Sequence, residues 1–222
     1  MPPIYENGFE AQSDIDRVMV ALGGGANQGT WVWDAKNPAE GLKCLKLITN
    51  PTLQPYYFYF LLPVPMQNVP IRVMCTTSMN PSIVSCGIGI KMIKDHLLYI
   101  MFTRLNFHRG KIELVRTTTL PHEWEDVADI PSQITRGQNP LYPTRMWLDI
   151  DPVNLSYINF GVHAVTKPSP NLFEFLLDQI AEEPISTPDD DILYVKFDPQ
   201  GSLEPTPPAV VWFDALSMDA LP

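Results

Sequence analysis

Few side chains in this sequence stand at spacings that do chemistry. His122-Glu123-Trp124-Glu125-Asp126 opens like H-E-x-x-H, in which two imidazoles one helical turn apart hold zinc, but Asp126 stands where the second imidazole must be. Asp149 and Asp151 are alternate residues of one extended run, so they share a strand face, as acid and base carboxylates do in glycoside hydrolysis. The pair ends at Pro152 and reads as a solvated strand terminus. No G-x-S-x-G elbow accompanies His96, His108, His122 or His163, and Gly23-Gly24-Gly25 lacks the Lys-Ser/Thr that completes a phosphate loop. Cys44, Cys75 and Cys86 are odd in number, form no C-x-x-C pair and lie in apolar runs, which makes them buried free thiols. No catalytic set emerges, and the expectation is a protein that is not an enzyme.

The elements that must position these residues follow from composition and punctuation. Of 222 residues, 23 are proline, about twice the usual share of ~5%, and proline is excluded from helix interiors and central strand positions. A helical bundle is ruled out, while 45% apolar residues suffice for a sizeable core in one domain spanning residues 1–222. Short β-branched and aromatic runs recur between turn signals such as Asn50-Pro51, Asn80-Pro81 and Asp151-Pro152. They predict strands at Arg17–Leu22, Thr30–Asp34, Leu42–Thr49, Tyr56–Pro63, Ile71–Thr77, Ser85–Met92, Leu97–Thr103, Lys111–Thr118, Arg145–Ile150, Ser156–Thr166, Ile192–Phe197 and Ala209–Leu216. One helix is predicted near Asn171–Glu183: Asn171 caps it, Glu174 stands three residues on, Pro184 stops it, and Phe173, Leu176, Leu177 and Ile180 recur at helical spacing. The acidic tract that follows, Glu182-Glu183 to Asp189-Asp190-Asp191, extends that surface, and Ser186–Asp191 and Pro199–Pro208 read as rigid connections offering contact surfaces.

Three segments together resemble a known architecture. Glu6-Asn7-Gly8-Phe9-Glu10, then Thr30-Trp31-Val32-Trp33 and Glu40-Gly41-Leu42-Lys43-Cys44-Leu45-Lys46-Leu47, are similar to the opening of jelly-roll carbohydrate-binding modules and concanavalin-A-like lectin and glucanase sandwiches. Gly87-Ile88-Gly89-Ile90, Leu97–Ile100, Lys111–Arg116 and Met146–Ile150 resemble the central strands of the latter group, and Val211-Trp212-Phe213-Asp214-Ala215-Leu216-Ser217-Met218 its closing strand. The resemblance implies an all-β fold, an antiparallel jelly-roll β-sandwich carrying the one short peripheral helix. It also implies a structural calcium ion joining the first and last strands, with Glu10 and Asp214 at the two carboxylate positions; hard oxygen ligands suit that ion, and no other cofactor is implied. Sugar-binding members stack pyranose rings on aromatic faces. Trp31 and Trp33, two apart on one strand, and Tyr57 and Tyr59 on the next aromatic run match such a platform, with packing between the sheets as the competing use. The E-x-D-x-x-E strand of glycosidases with this architecture is absent.

Fifteen Lys and Arg against 25 Asp and Glu leave a net charge of −10, which opposes nucleic acid and anionic membrane surfaces as partners. No run of ~18 apolar residues and no basic-then-apolar leader stands in the sequence, so the expected location is a virion or otherwise the cytoplasm. A lectin-like sandwich without a catalytic set, joined by proline-rich connections, implies a structural or interaction protein of a large assembly. A virion component is the leading expectation, as a bacteriophage capsid, decoration or tail protein, with protein subunits as partners in a homo- or hetero-oligomer. The alternative is a carbohydrate-binding module or receptor-binding protein taking a neutral glycan, and the third reading is a polysaccharide hydrolase or lyase.

Overall fold

The structure is a computed structural model, and it describes residues 4–11, 13, 19–22, 29–34, 43–49, 58–116, 123–134, 143–164, 171–180, 184–201 and 209–222. Sixteen strands are formed there: β1 (Tyr5–Asn7), β2 (Met19–Leu22), β3 (Gly29–Asp34), β4 (Cys44–Thr49), β5 (Phe58–Val64), β6 (Ile71–Met79), β7 (Ile83–Lys94) and β8 (Leu97–Asn106). The second half holds β9 (Lys111–Val115), β10 (Trp124–Asp129), β11 (Thr144–Asp151), β12 (Ser156–Ala164), β13 (Asn171–Ile180), β14 (Ile185–Ser186), β15 (Ile192–Gly201) and β16 (Val210–Ala220). Each of the twelve segments expected to be extended overlaps one of these strands.

Two antiparallel sheets of eight strands form a sandwich. Sheet A runs β13-β12-β11-β6-β16-β4-β3, with β1 also on β16, and sheet B runs β10-β9-β8-β7-β15-β5-β2, with β14 on β8. The alternation of side chains decides which faces meet. Ile71, Val73 and Cys75 of β6, Met146, Leu148 and Ile150 of β11, and Val211 and Phe213 of β16 join Ile88, Ile90 and Met92 of β7, Met101 and Leu105 of β8, and Val195 and Phe197 of β15 in one buried cluster. Each such side chain contributes about 1.5–3 kcal/mol on leaving water. Phe197 and Phe213 touch across the sheets with ring centroids 4.5 Å apart. Tyr157 of β12 reaches from sheet A to the fork where β9 leaves β8, and its hydroxyl accepts from the Phe102 amide at 2.9 Å.

The last strand ties the chain together. One flank of β16 pairs with β6; the other pairs with β4 through Val210–Phe213 and with β1 through Leu216–Met218. At the handover β16 bulges between Asp214 and Ser217, and Ala215 adopts a left-handed φ of 46°.

The expected helix at Asn171–Glu183 is not formed: residues 171–180 are edge strand β13, paired with β12 from Ala164↔Asn171 to Ser156↔Ile180, and 181–183 lie outside the described residues. The same residues satisfy a second period. Phe173 and Phe175 are half-buried and Leu177 is buried, while Leu172, Glu174 and Leu176 face out. A capping residue is worth only ~1 kcal/mol. Pairing with β12 satisfies a row of backbone groups and seats three apolar side chains, so the sheet prevails over the local helix signals.

Sheet B guards its own edge with charge. Asp126 and Asp129 of β10 pair with Arg109 at 3.0 Å and Lys111 at 2.6 Å, and Glu125 pairs with Arg116 at 2.9 Å. Glu113 of β9 anchors this ladder: 0% exposed, it accepts from Arg104 Nε at 2.6 Å, from Asn106 Nδ2 at 3.0 Å and from Arg109. Removing one member of a buried pair strands its partners' charge, at about 3–5 kcal/mol. Glu113→Gln is therefore expected to lose roughly 3 kcal/mol of unfolding free energy in denaturant titrations. A loss below about 1 kcal/mol would mean that the pair behaves as a solvated surface bridge.

Candidate functional site

The described residues among those singled out from sequence fall at four places: β3, β5 in the opposite sheet, the seam of β1 and β4 along β16, and β11. Trp31 and Trp33 lie on β3, where the register sets them opposite Leu47 and Leu45, two fully buried core residues. Tyr59 lies on β5 opposite Ala21. Tyr57 lies outside the described residues, as do the side chains of Trp31, Trp33 and Tyr59. His122 and Gly23-Gly24-Gly25 are outside them too. Glu10 and Asp214 border the point where β1 gives way to β4 along β16: Glu10 Oε1 accepts from the amide of Lys43, next to β4, at 3.3 Å, and Asp214 Oδ1 accepts from Ala215 at 2.8 Å. No group of three His, Cys, Asp or Glu side chains suited to a metal occurs among the described residues, so calcium there would draw its remaining oxygens from backbone carbonyls.

Asp149 and Asp151 have separate duties. Asp149 is clasped by Arg72 through Nε at 2.7 Å and Nη2 at 2.8 Å, which raises the guanidinium's pKa, and Arg72 lies over the Trp147 ring at 5.2 Å. That indole lies flat on Gly161, where a Cβ would come within 1.8 Å of it. Asp151 caps the turn after β11. Partial burial pushes its carboxyl up, but hydrogen bonds from the amide and side chain of Asn154 and the amide of Val153 hold it below its ordinary value. Both carboxyls thus have structural partners, Asp149 in an ion pair and Asp151 in a turn cap.

A cavity of about 280 Å³ opens on the outer face of sheet B, lined by Lys91 and Ile93 of β7, Ile192 and Tyr194 of β15, and Asp189, Asp190 and Asp191. The sheet supplies its back wall because Tyr194 is registered with Lys91, and the Lys91 ammonium stands 5.8 Å from the Tyr194 ring centroid. The acidic rim is held by the β7–β8 hairpin. Asp95 and His96 form its two-residue turn with φ of 52° and 60°, the left-handed pair that a tight hairpin needs. Asp95 donates its amide to Asp191 Oδ1 at 2.7 Å, His96 Nδ1 lies 3.0 Å from the Asp189 carbonyl, and the Thr187 amide donates to the His96 carbonyl at 2.9 Å. β14, paired with Leu97 and Leu98, fastens the loop from its other end. Burial, then the charge of Asp189, push the Tyr194 phenol above its ordinary pKa, so it keeps its proton as a donor at physiological pH.

The same sheet face carries a buried cationic cluster beyond the cavity lining. Gly87 and Gly89 of β7 leave room for Arg104 and Phe102: a Cβ on Gly89 would come within 2.8 Å of the Phe102 ring and 2.2 Å of the Met101 carbonyl. Lys196, almost fully buried, places Nζ 4.3 Å from the Phe102 centroid. Arg104 stacks on Trp124 at 3.5 Å and donates to Gln200, which also accepts from Ser85. Lys91, Tyr194 and the Arg104 group were not singled out from sequence. Their signals were present in the alternation of Tyr194 and Lys196 within a recognised strand, in Gly87-x-Gly89, and in the contact surface assigned to Ser186–Asp191.

No protein-family model matches the chain, and no curated protein matches it. Solved structures do. The cellulose-induced protein Cip1 superposes with a TM-score of 0.57 at 10% identity over 98% of this chain and 97% of that one. A Bacillus subtilis protein of unknown function with a galectin-like fold gives 0.52 at 14% identity over 98% and 96%. The endo-β-1,4-glucuronan lyase of the fungus Trichoderma reesei gives 0.51 at 12% identity over 88% and 89%. Likeness at such identities is one of fold, and the fold is a jelly-roll β-sandwich of the galectin-like kind.

Proposed function

We propose that this chain binds neutral glycans on the outer face of sheet B without turning them over. The observation that carries this reading is the cavity at Tyr194, which combines one aromatic ring, two isoleucine walls and a rim of carboxylates and an ammonium. A pyranose needs that combination: an apolar C–H face to stack and hydroxyls to satisfy. Asp189, Asp190 and Asp191 at the mouth, with the net charge of −10, select against polyanionic chains. Binding without turnover is favoured by the duties of Asp149 and Asp151 as ion-pair partner and turn cap. The solved structures of this fold include both a galectin-like protein and a lyase, and so support a saccharide ligand without choosing between binding and cleavage.

A second reading, a structural component of a large assembly such as a bacteriophage capsid, decoration or tail, is favoured by one observation. Edge strand β13 exposes Leu172 and Leu176. Calcium belongs to either reading as a staple rather than a reactant. Asp214 is a 2%-exposed carboxylate at the handover from β1 to β4, and with Glu10 it offers hard oxygens there.

Calorimetric titration with a panel of neutral oligosaccharides is expected to show binding that Tyr194→Ala weakens by about tenfold, the worth of one stacked ring, and that Tyr194→Phe largely keeps. Silence across the panel overturns the reading. Loss of binding in Trp31→Ala or Trp33→Ala with Tyr194→Ala unaffected moves the platform to β3. Added calcium is expected to raise the melting temperature of the wild-type chain and not of Glu10→Gln; an unchanged wild-type melt removes the ion.

A further inference from the structure

We propose that β13 is a self-association edge, on which a second copy of this chain pairs antiparallel about a twofold axis at Glu174. Of the four terminal strands, β10 and β13 are treated differently. β10 is six residues long and carries Glu125, Asp126 and Asp129 in ion pairs, the charged shielding that keeps sheet edges from joining. β13 is ten residues long, pairs with β12 on one flank, and shows Leu172 60% and Leu176 81% exposed, with Glu174 the single charge between them. Among the described residues β13 pairs with β12 alone, and open edges of that length recruit further strands.

The pattern of the strand selects the occupant. Opposed residues of an antiparallel pair share a face, so a twofold axis at Glu174 sets Leu172 against the second copy's Leu176, and Phe173 against its Phe175. A shift of two residues either way sets a leucine against a glutamate. The regular part of β13 suits this symmetry, because its register with β12 breaks only after Leu176. Two glutamates meet at the axis, an arrangement that costs stability. Arg72 lies on the same sheet face, stacked on the Trp147 that packs on Gly161, the register partner of Glu174. After Asp149, the charge of Glu174 is among those that raise the Arg72 pKa, so each copy brings a cation toward the paired carboxylates.

The inference rests on the assembly reading only in naming its first contact, and it is independent of the glycan cavity. Light scattering and sedimentation of the full chain over a concentration series are expected to show a dimer. Leu176→Lys and Leu172→Lys should each weaken it at least about tenfold while melting like the parent, and Glu174→Gln should tighten it by about threefold as the like charges go. Because the three native cysteines are buried, Glu174→Cys is expected to give a covalent dimer when treated with oxidised glutathione. A monomer at every concentration overturns both the inference and the assembly reading. An oligomer indifferent to these substitutions overturns the inference and leaves the assembly reading standing.

Discussion

The contact between Phe197 and Phe213 is the hinge of this architecture. It joins β15 to β16, the two long strands nearest the end of the chain, and each lies inside its sheet with earlier strands on both flanks. Neither strand can be placed until the sheets around it exist, since β15 must find β7 and β5 and β16 must find β6, β4 and β1. Such non-local pairing closes loops before contacts reward them, which slows folding. It also explains how the molecule controls its outer face. With Phe197 and Val195 committed to the core, alternation turns Tyr194 and Lys196 outward, toward Lys91 and the Phe102 ring.

Charge is used sparingly and locally. Among the described residues Arg72, Arg104, Arg109, Lys111 and Arg116 are engaged by carboxylates, and four of these five brace β8, β9 and β10. Of these pairs the one centred on Glu113 is the most deeply buried, and Arg72 faces a carboxylate, Asp149, that is itself buried, so these two carry the larger penalties if broken, whereas the exposed rungs beside β10 contribute little each. The acidic rim at Asp189–Asp191 is held instead by the hairpin turn, through the Asp95 amide on the Asp191 carboxylate and the His96 ring on the Asp189 carbonyl, with no cation in these contacts. That is the condition a hydroxyl-binding rim requires.

Where strands would form was legible because alternation and punctuation act locally: strands that pack on the core face carry their own period, and several close at a Pro or Asn, as β6 does at Asn80-Pro81. β10 was missed because Trp124–Asp129 is half polar and is held by ion pairs with β9 rather than by an apolar stripe. Asn171–Ile180 was misread because Phe173 and Leu177 fit a period of 3.6 as well as a period of 2, and only the free flank of β12 decides between them. The twin tryptophans were conspicuous by type, yet their strand is registered against buried leucines. Alternation with Lys196 tells which face of its strand Tyr194 takes, but only the register with Lys91 and the approach of Asp189–Asp191 make that face a cavity wall.

The sequence by itself determined the class of fold and the sign of its surface, since side-chain alternation, proline content and net charge are properties of neighbouring residues or simple sums. Its likeness to lectin-type sandwiches was also readable, through short strand motifs. Only the tertiary structure decided which strands pair, which edge is shielded and where a ligand-sized cavity opens. Those depend on contacts between segments such as the Asp95-His96 turn and Asp189–Asp191, some 93–96 residues apart. The physical reason is that local periodicity fixes the direction of a side chain relative to its own strand, whereas a site is made by the register between strands.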